Sequence, residues 1–442
     1  MLTRRQAIQL AGAGAVGAAL PRAAADYVLS IAETTLEVSG KQHYKTLAYN
    51  NSVPGPLLRL REGQPVTIDV HNNTTHPEIV HWHGLFLPPA VDGAMEEGTP
   101  MIAPGAASRY SFTPRPAGTR WYHSHIRADG NFNLGLYSSL HGFLIIEPRD
   151  NLAPWDQEAC LLLHDYGGQL LSADDGSMNP VYDVSTINGK VLGFGEPLRV
   201  RPGQRLLLRI LNASATEVHW LAFAGHTLQV IALDGNAVPR PAPVSMLRLA
   251  PAERADVLVT LDNPGVWVLG EVREHVQKAG MGIVIEYAGR TGTPRWLQPP
   301  ALLWNYAQFA ATAPDALPAA IQIPLVFTPK FAGHGAMQRW QINGKSYPET
   351  ESPVLTRGQR YRLIFRNRSS DDHPVHLHRH TFDVVSIAGG PRLAGLAKDT
   401  VLVMGGTEVE AEFTANDPGP SLFHCHQQDH MDMGFMMLFR YA

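Results

Sequence analysis

Gly358-Gln359-Arg360-Tyr361-Arg362-Leu363-Ile364-Phe365-Arg366-Asn367 is the third occurrence of one pattern in this chain. Gly63-Gln64 and Gly203-Gln204 open the earlier two. In every copy a strand-like alternating stretch follows, and an Asn stands nine residues after the Gly: Asn72, Asn212 and Asn367. Alternation with period two is the signature of a β-strand, whose side chains point to opposite faces in turn. Upstream lie Asn51-Ser52-Val53-Pro54-Gly55, Ile187-Asn188-Gly189-Lys190 and Ile342-Asn343-Gly344-Lys345; downstream, turns at Gly118, Gly265 and Gly419 each introduce a further strand. The copies start 140 and 155 residues apart, a domain-sized interval and too long for a solenoid. An all-β chain of three tandem domains is expected.

Composition agrees. The 442 residues exceed the ~250–300 at which one core stops growing, and Gly 40 with Pro 34 supply turns for many short strands. A chain 44% hydrophobic and 17% charged folds as a globule. Lys+Arg 36 against Asp+Glu 40 gives a net charge of −4 with no basic block, so nucleic acid and anionic membrane surfaces are excluded as partners.

At the start, Arg4-Arg5, the weakly apolar run Gln6–Leu20 and Ala23-Ala24-Ala25 read as an export signal over 1–25. Thr3-Arg4-Arg5-Gln6-Ala7-Ile8 resembles the twin-arginine pattern of bacterial proteins exported folded. The expectation is a periplasmic or otherwise exported protein, free of the membrane once the signal is cleaved. The domains are then 26–150, 151–298 and 299–442, with linkers near Pro148–Pro154 and Pro294–Pro318.

The repeat also locates the chemistry. Eighteen and twenty residues after the Gly, copy one has His81 and His83 and copy three has His376 and His378; copy two has Leu221 and Phe223. Five and seven residues after the later Gly stand His123 and His125, then His424 and His426; copy two has Gly270 and Val272. Each pair is His-x-His, which on a strand turns both imidazoles to one face, where they can hold one metal ion or serve two neighbouring ions. A single strand histidine is usually a satisfied or exposed residue. Four pairs at matched offsets in two copies of three point to ligands.

Cys425, between His424 and His426, faces the other way, so it can bind a different metal while remaining covalently joined to the histidine cluster. His430 and His373 are available on its side. One Cys and two His suit a type 1 (blue) copper; zinc accepts the same ligands but has no redox chemistry. Cys160, in Glu158-Ala159-Cys160-Leu161-Leu162-Leu163, reads as a core residue.

His81-Trp82-His83-Gly84, His123-Ser124-His125, His373-Pro374-Val375-His376-Leu377-His378 and His424-Cys425-His426-x-x-x-His430 resemble, in this order, the four copper-binding motifs of the multicopper oxidases. With the repeat, the resemblance extends over nearly all of the chain after the signal. It implies three cupredoxin-like Greek-key barrels or sandwiches. It also implies four coppers: type 1 on His373, Cys425 and His430; type 2 on His81 and His376; and a type 3 pair on His83, His123, His125, His378, His424 and His426. Single electrons from a donor would pass through Cys425 to His424 and His426, and four would reduce O₂ to water. Asp92, in Val91-Asp92-Gly93, matches the family's carboxylate for proton supply, although Asp beside Gly is also ordinary turn chemistry.

Two positions depart from the pattern. Phe435 stands where many members carry an axial Met, with Met433, Met436 and Met437 close by; Met431 follows His430, where related bacterial enzymes often have Glu. A phenylalanine there predicts a relatively high potential. Between His275 and Gly344 only Met281 and Met337 occur, too few for the Met-rich insertion of cuprous oxidases. Asp371 and Asp372 lie next to the expected electron entry. The substrates expected are phenols or aromatic amines, with Cu(I) or Fe(II) as the alternative, and the chain is expected to act as a monomer. A non-enzymatic cupredoxin-like cell-division or structural protein is the rival class, against which the complete ligand set argues.

Overall fold

The computed structural model describes residues 24–150, 155–172, 178–301, 304–313, 320–331 and 339–442. Of the export signal expected over 1–25, residues 1–23 lie outside these. Among the described residues no helix is long and apolar enough to cross a membrane.

The three copies fold alike. In the first, one sheet runs in the order Gln42–Tyr49, Tyr27–Ser39, Val66–Asn72, Ala107–Phe112, and the other Leu58–Arg61, His141–Glu147, Gly118–Ser124, Val80–His83. Leu29, Ile31, Ile68 and Val70 from the first sheet meet Val80, Trp82, Leu144 and Ile146 from the second in one core, the alternating inward residues of a sandwich. The initial strand of each copy pairs in parallel with the strand after Gly-Gln: Tyr27–Ser39 with Val66–Asn72, Gln157–Tyr166 with Arg205–Asn212, Ile321–Lys330 with Arg360–Asn367. Parallel neighbours in otherwise antiparallel sheets require crossing connections, the Greek-key habit. The expectation of three tandem cupredoxin-like units is met.

The repeated Asn residues have one job each. Asn72 is buried, donates to the carbonyls of His76 and Ile102, and accepts from Thr74 N. Asn212 does the same with Glu217, Leu249 and Ser214, and Asn367 with Asp371, Val403 and Ser369. Each ties the end of its strand to the loop leading to the next strand, which in the outer copies carries the first His-x-His. The upstream turns need one correction. Asn188 and Asn343, at φ 52°, precede Gly189 and Gly344 in hairpin turns, and the first-copy equivalent is Asn50 (φ 51°), one residue before the expected Asn51. Asn50 bonds Ser30 N and Val28 O, as Asn188 bonds Leu162 N and Cys160 O and Asn343 bonds Val326 N and Pro324 O.

The Pro294–Pro318 stretch is not a bare linker. Trp304, Tyr306 and Phe309 are buried in the core shared by the second and third copies, and Tyr306 Oη donates to Glu253. Apolar burial of three aromatic rings outweighs the loop-like composition. Cys160, expected in the core, is half-buried on Gln157–Tyr166; burial pushes its thiol up to about 12, so it stays protonated and inert.

Candidate metal centre

Four strands deliver the histidines. His81 and His83 lie on Val80–His83, which pairs with Gly118–Ser124 so that His81 sits opposite His123. In the third copy His376 on His373–Leu377 sits opposite His424 on Ser421–Cys425. His125, His378 and His426 each stand just beyond the end of their strand. The two ends face one another across the seam between copies one and three. His81 stacks on His378 at 3.9 Å between ring centroids, and His83 stacks on His376 at 3.9 Å. All eight are buried. The middle copy has Leu221 and Phe223 at the equivalent positions, both in its core.

The cluster divides. His125, His378 and His424 bring ring nitrogens together, His378 Nε2 to His424 Nε2 at 3.1 Å and His125 Nε2 to His424 Nε2 at 3.4 Å. His83, His123 and His426 form a second group, with ring centroids 5.1–5.7 Å apart. His81 and His376 complete the set at 5.7 Å.

Hydrogen bonds fix which nitrogen faces inward. Nδ1 donates to a carbonyl in His81 (Asp92 O, 2.9 Å), His123 (Ser124 O, 2.8 Å), His376 (Asp399 O, 2.6 Å) and His424 (Cys425 O, 2.8 Å). His378 Nδ1 donates to Asp92 Oδ2 at 2.9 Å. A carbonyl or carboxylate can only accept, so the proton is on Nδ1 and Nε2 is left as a lone pair. Accordingly Nε2 of His81, His123 and His376 is buried without a partner, as are both nitrogens of His426. The lone pairs of His378 and His424 face each other at 3.1 Å, a repulsive contact that a shared cation would relieve. Burial first, then neighbouring imidazoles, hold His83, His123, His125, His378 and His426 well below the ordinary histidine range; neutral imidazole is the form that binds metal.

Asp92 closes the short helix Pro89–Asp92, and Gly93 follows at φ 102°. A Cβ at Gly93 would lie 1.9 Å from Val80 O, so only glycine lets this turn press against the strand of His81. Asp92 is thus a turn residue whose carboxylate also reaches His378 and, at 3.2 Å, His81. Two carboxylates at this seam had no signal in the sequence: Glu97, 3.5 Å from His378 Nδ1, and Asp399, 3.1 Å from His83 Nε2.

A second group forms on the far side of Ser421–Cys425. Cys425 Sγ lies 3.5 Å from His430 Nδ1 and 3.8 Å from His373 Nδ1, and the two nitrogens are 3.1 Å apart. All three are buried. Trp340 packs on both rings at 4.6 and 4.5 Å, and Phe435 lies 4.8 Å from the ring of His373. Met436 points away, into a cluster with Leu422 and Met431. Met337 lies outside the described residues. Burial pushes the Cys425 thiol up and lowers His430 to about 4; a cation would favour thiolate over thiol at this sulfur.

Multicopper oxidase sequence models match residues 30–151, 164–285 and 321–442. Multicopper oxidase MmcO of Mycobacterium tuberculosis is 30% identical over 430 residues, spanning 88% of this chain and 82% of that protein. The chain belongs to the multicopper oxidase family. Laccase-4 of Thanatephorus cucumeris is 26% identical over 86% of this chain and 82% of its own. The crystal structure of Fet3p, a multicopper oxidase that functions in iron import, superposes with a TM-score of 0.82 at 19% identity, covering 94% of this chain and 90% of that one; this likeness bears on the fold alone. Multicopper oxidases are copper-dependent oxidoreductases with O₂ as acceptor and a reducing co-substrate, and they use one type 1, one type 2 and two type 3 coppers. The unpartnered inward nitrogens and the buried Cys-His-His group fit such ions: soft sulfur with two imidazoles at one site, imidazole alone at the other.

Proposed function

We propose that the chain is a laccase-like oxidase of phenols or aromatic amines. The type 1 copper would be held by His373, Cys425 and His430, the type 2 ion by His81 and His376, and the type 3 pair by His83, His123, His125, His378, His424 and His426. Copper bound there would supply one-electron redox chemistry, coupling oxidation of a donor to the four-electron, four-proton reduction of O₂ to two waters. Cys425 joins the two sites through one peptide link on either side, to His424 and His426. Asp92 orients His81 and His378 and keeps Oδ1 unpartnered, an oxygen able to hold a proton for O₂ reduction. The same proposal includes domains over 26–150, 151–298 and 299–442, action as a monomer, and export under the signal at 1–25.

The observation that carries the choice of substrate is the state of the carboxylates around His430. Asp372 is engaged, its Oδ1 accepting from Gly405 N at 2.9 Å. Asp429 is buried. Asp371 alone is exposed. One exposed carboxylate, whose Oδ1 accepts from Ser370 Oγ at 3.3 Å, suits accepting a phenolic proton better than it suits ligating a metal ion, which takes several. Met281, the one described methionine between His275 and Gly344, is fully buried and offers no sulfur to Cu(I). The test is oxygen uptake by the copper-loaded protein with a phenol, then with Cu(I) or Fe(II). Faster turnover of the phenol is expected. A kcat/KM for either metal ion ten or more times that for the phenol would overturn the reading in favour of a metal-ion oxidase.

A further inference from the structure

His83 differs from the other cluster histidines. Its unpartnered buried nitrogen is Nδ1, while Nε2 points at Asp399 Oδ1, 3.1 Å away. Asp399 is fully buried and comes from the third copy, but what clamps it comes from the middle one. Arg254 Nη1 donates to Oδ1 at 2.6 Å and Nη2 to Oδ2 at 2.5 Å, a two-pronged pair. Arg120 Nη1 of the first copy adds a contact to Oδ2 at 3.3 Å. Thr400 Oγ1 lies 3.2 Å from Oδ1 and 3.3 Å from His83 Nε2. Arg254 is itself held by the carbonyls of Asp234 and Ala252. The approach is close enough that a Cβ at Gly84 would lie 2.5 Å from Asp399 Oδ2, which accounts for the glycine that follows His83.

We propose that Asp399, clamped by Arg254, is a positioning residue that keeps the proton of His83 on Nε2 and so presents Nδ1, not Nε2, to the trinuclear cluster. The inference rests on the copper reading above. A carboxylate bound on both oxygens by arginine is ionised and can only accept, so the nitrogen facing it must carry the hydrogen. The middle copy, which has no histidine at the ligand positions, thereby takes part in the cluster through a carboxylate it does not own. Buried carboxylate partners of ligating imidazoles fix tautomer and ring orientation, and their loss typically weakens metal affinity 10–100-fold.

The direct test needs no variant. In the full chain stripped of copper and labelled with ¹⁵N at histidine, the His83 ring should show its N–H at Nε2; an N–H at Nδ1 overturns the proposal. Asp399→Ala should let the His83 tautomers mix, weaken copper retention by the cluster against a chelator about 10–100-fold and diminish the near-ultraviolet type 3 band. The blue band of the Cys425 site should remain. Unchanged tautomer and retention would refute the proposal. If Asp399→Ala does not fold, Arg254→Lys loosens the two-pronged clamp, and an undisturbed type 3 band would count equally against it. A wild-type chain that takes up no copper sinks the oxidase reading, whereas the ring tautomer is read without copper.

Discussion

Asp92 Oδ2 accepts from His378 Nδ1 at 2.9 Å across the seam between the first and third copies, while the carbonyl of the same residue holds His81 Nδ1 at 2.9 Å. One residue thus sets the ring of a histidine from each copy, and its second carboxylate oxygen remains free within the buried seam.

Asp92→Asn keeps the shape but replaces one carboxylate oxygen with an amide and removes a site for a proton. Copper content and blue colour should be retained, and oxygen uptake should fall about 100-fold, in the range that a proton-transferring group contributes. Steady-state oxygen consumption with a saturating donor measures it. A loss confined to KM for the donor would place the role of Asp92 elsewhere.

The middle copy contains a buried charge cluster that should govern alkaline stability. His219 sits between Asp165 at 3.0 Å and Glu271 at 3.3 Å. Burial alone would lower it, yet Asp165 and Glu271 together raise it to about 10. Because the unfolded value is about 6.5, this contribution is complete below that pH and is lost as pH rises toward 10. For Asp165, burial pushes upward but His219, Ser185 and Ser214 bring it down to about 2, so its share is present above about 4 and lost as pH falls toward 2. The thermal midpoint should decline between pH 7 and pH 10 in the wild type. In a His219→Gln, Asp165→Asn double variant that alkaline decline should be markedly shallower.

Asn212→Ala removes two donated bonds and one accepted bond and leaves buried carbonyls of the middle copy without a donor. A loss of about 2–4 kcal/mol is expected, read from denaturant unfolding, with copper content unchanged because the side chain of Asn212 bonds Glu217, Leu249 and Ser214, and neither a cluster histidine nor Arg254.

Phe435 lies against His373, and its carbonyl accepts from Cys425 N at 3.2 Å. Phe435→Met places a thioether beside this site and should lower the type 1 potential. Redox titration of the blue band checks this; an unchanged or raised potential would mean that the residue at 435 does not tune the site.

Much of this was legible in the sequence because the ligands obey a local rule. Two histidines two apart on a strand must face together, and Cys425 between two of them must face away, so parity separates Cys425 and His373 from the eight cluster histidines, while His430 follows Cys425 after a short turn. The repeated Asn was visible as a mark, but its role as a clamp on two carbonyls depends on the loop that folds over it. Asp399 left no sequence signal: it meets His83 across 316 residues of chain, and its partner Arg254 belongs to the copy without ligands. The Pro294–Pro318 stretch does lie between the strands Gly282–Tyr287 and Ile321–Lys330, but its prolines signal only an irregular path, whereas the buried Trp304, Tyr306 and Phe309 decide how that path packs. Asn50 and Asn51 are adjacent and both at positive φ, so the sequence alone does not tell which of them matches Asn188 and Asn343.

Cys425 is the one residue whose side chain belongs to the outer site while its neighbours on both sides belong to the inner cluster. Oxygen uptake by Cys425→Ser with a phenolic donor tests this most directly. The blue colour should vanish, the histidine cluster should keep its copper, and turnover should fall below a hundredth of wild type; turnover at the wild-type rate would contradict the account.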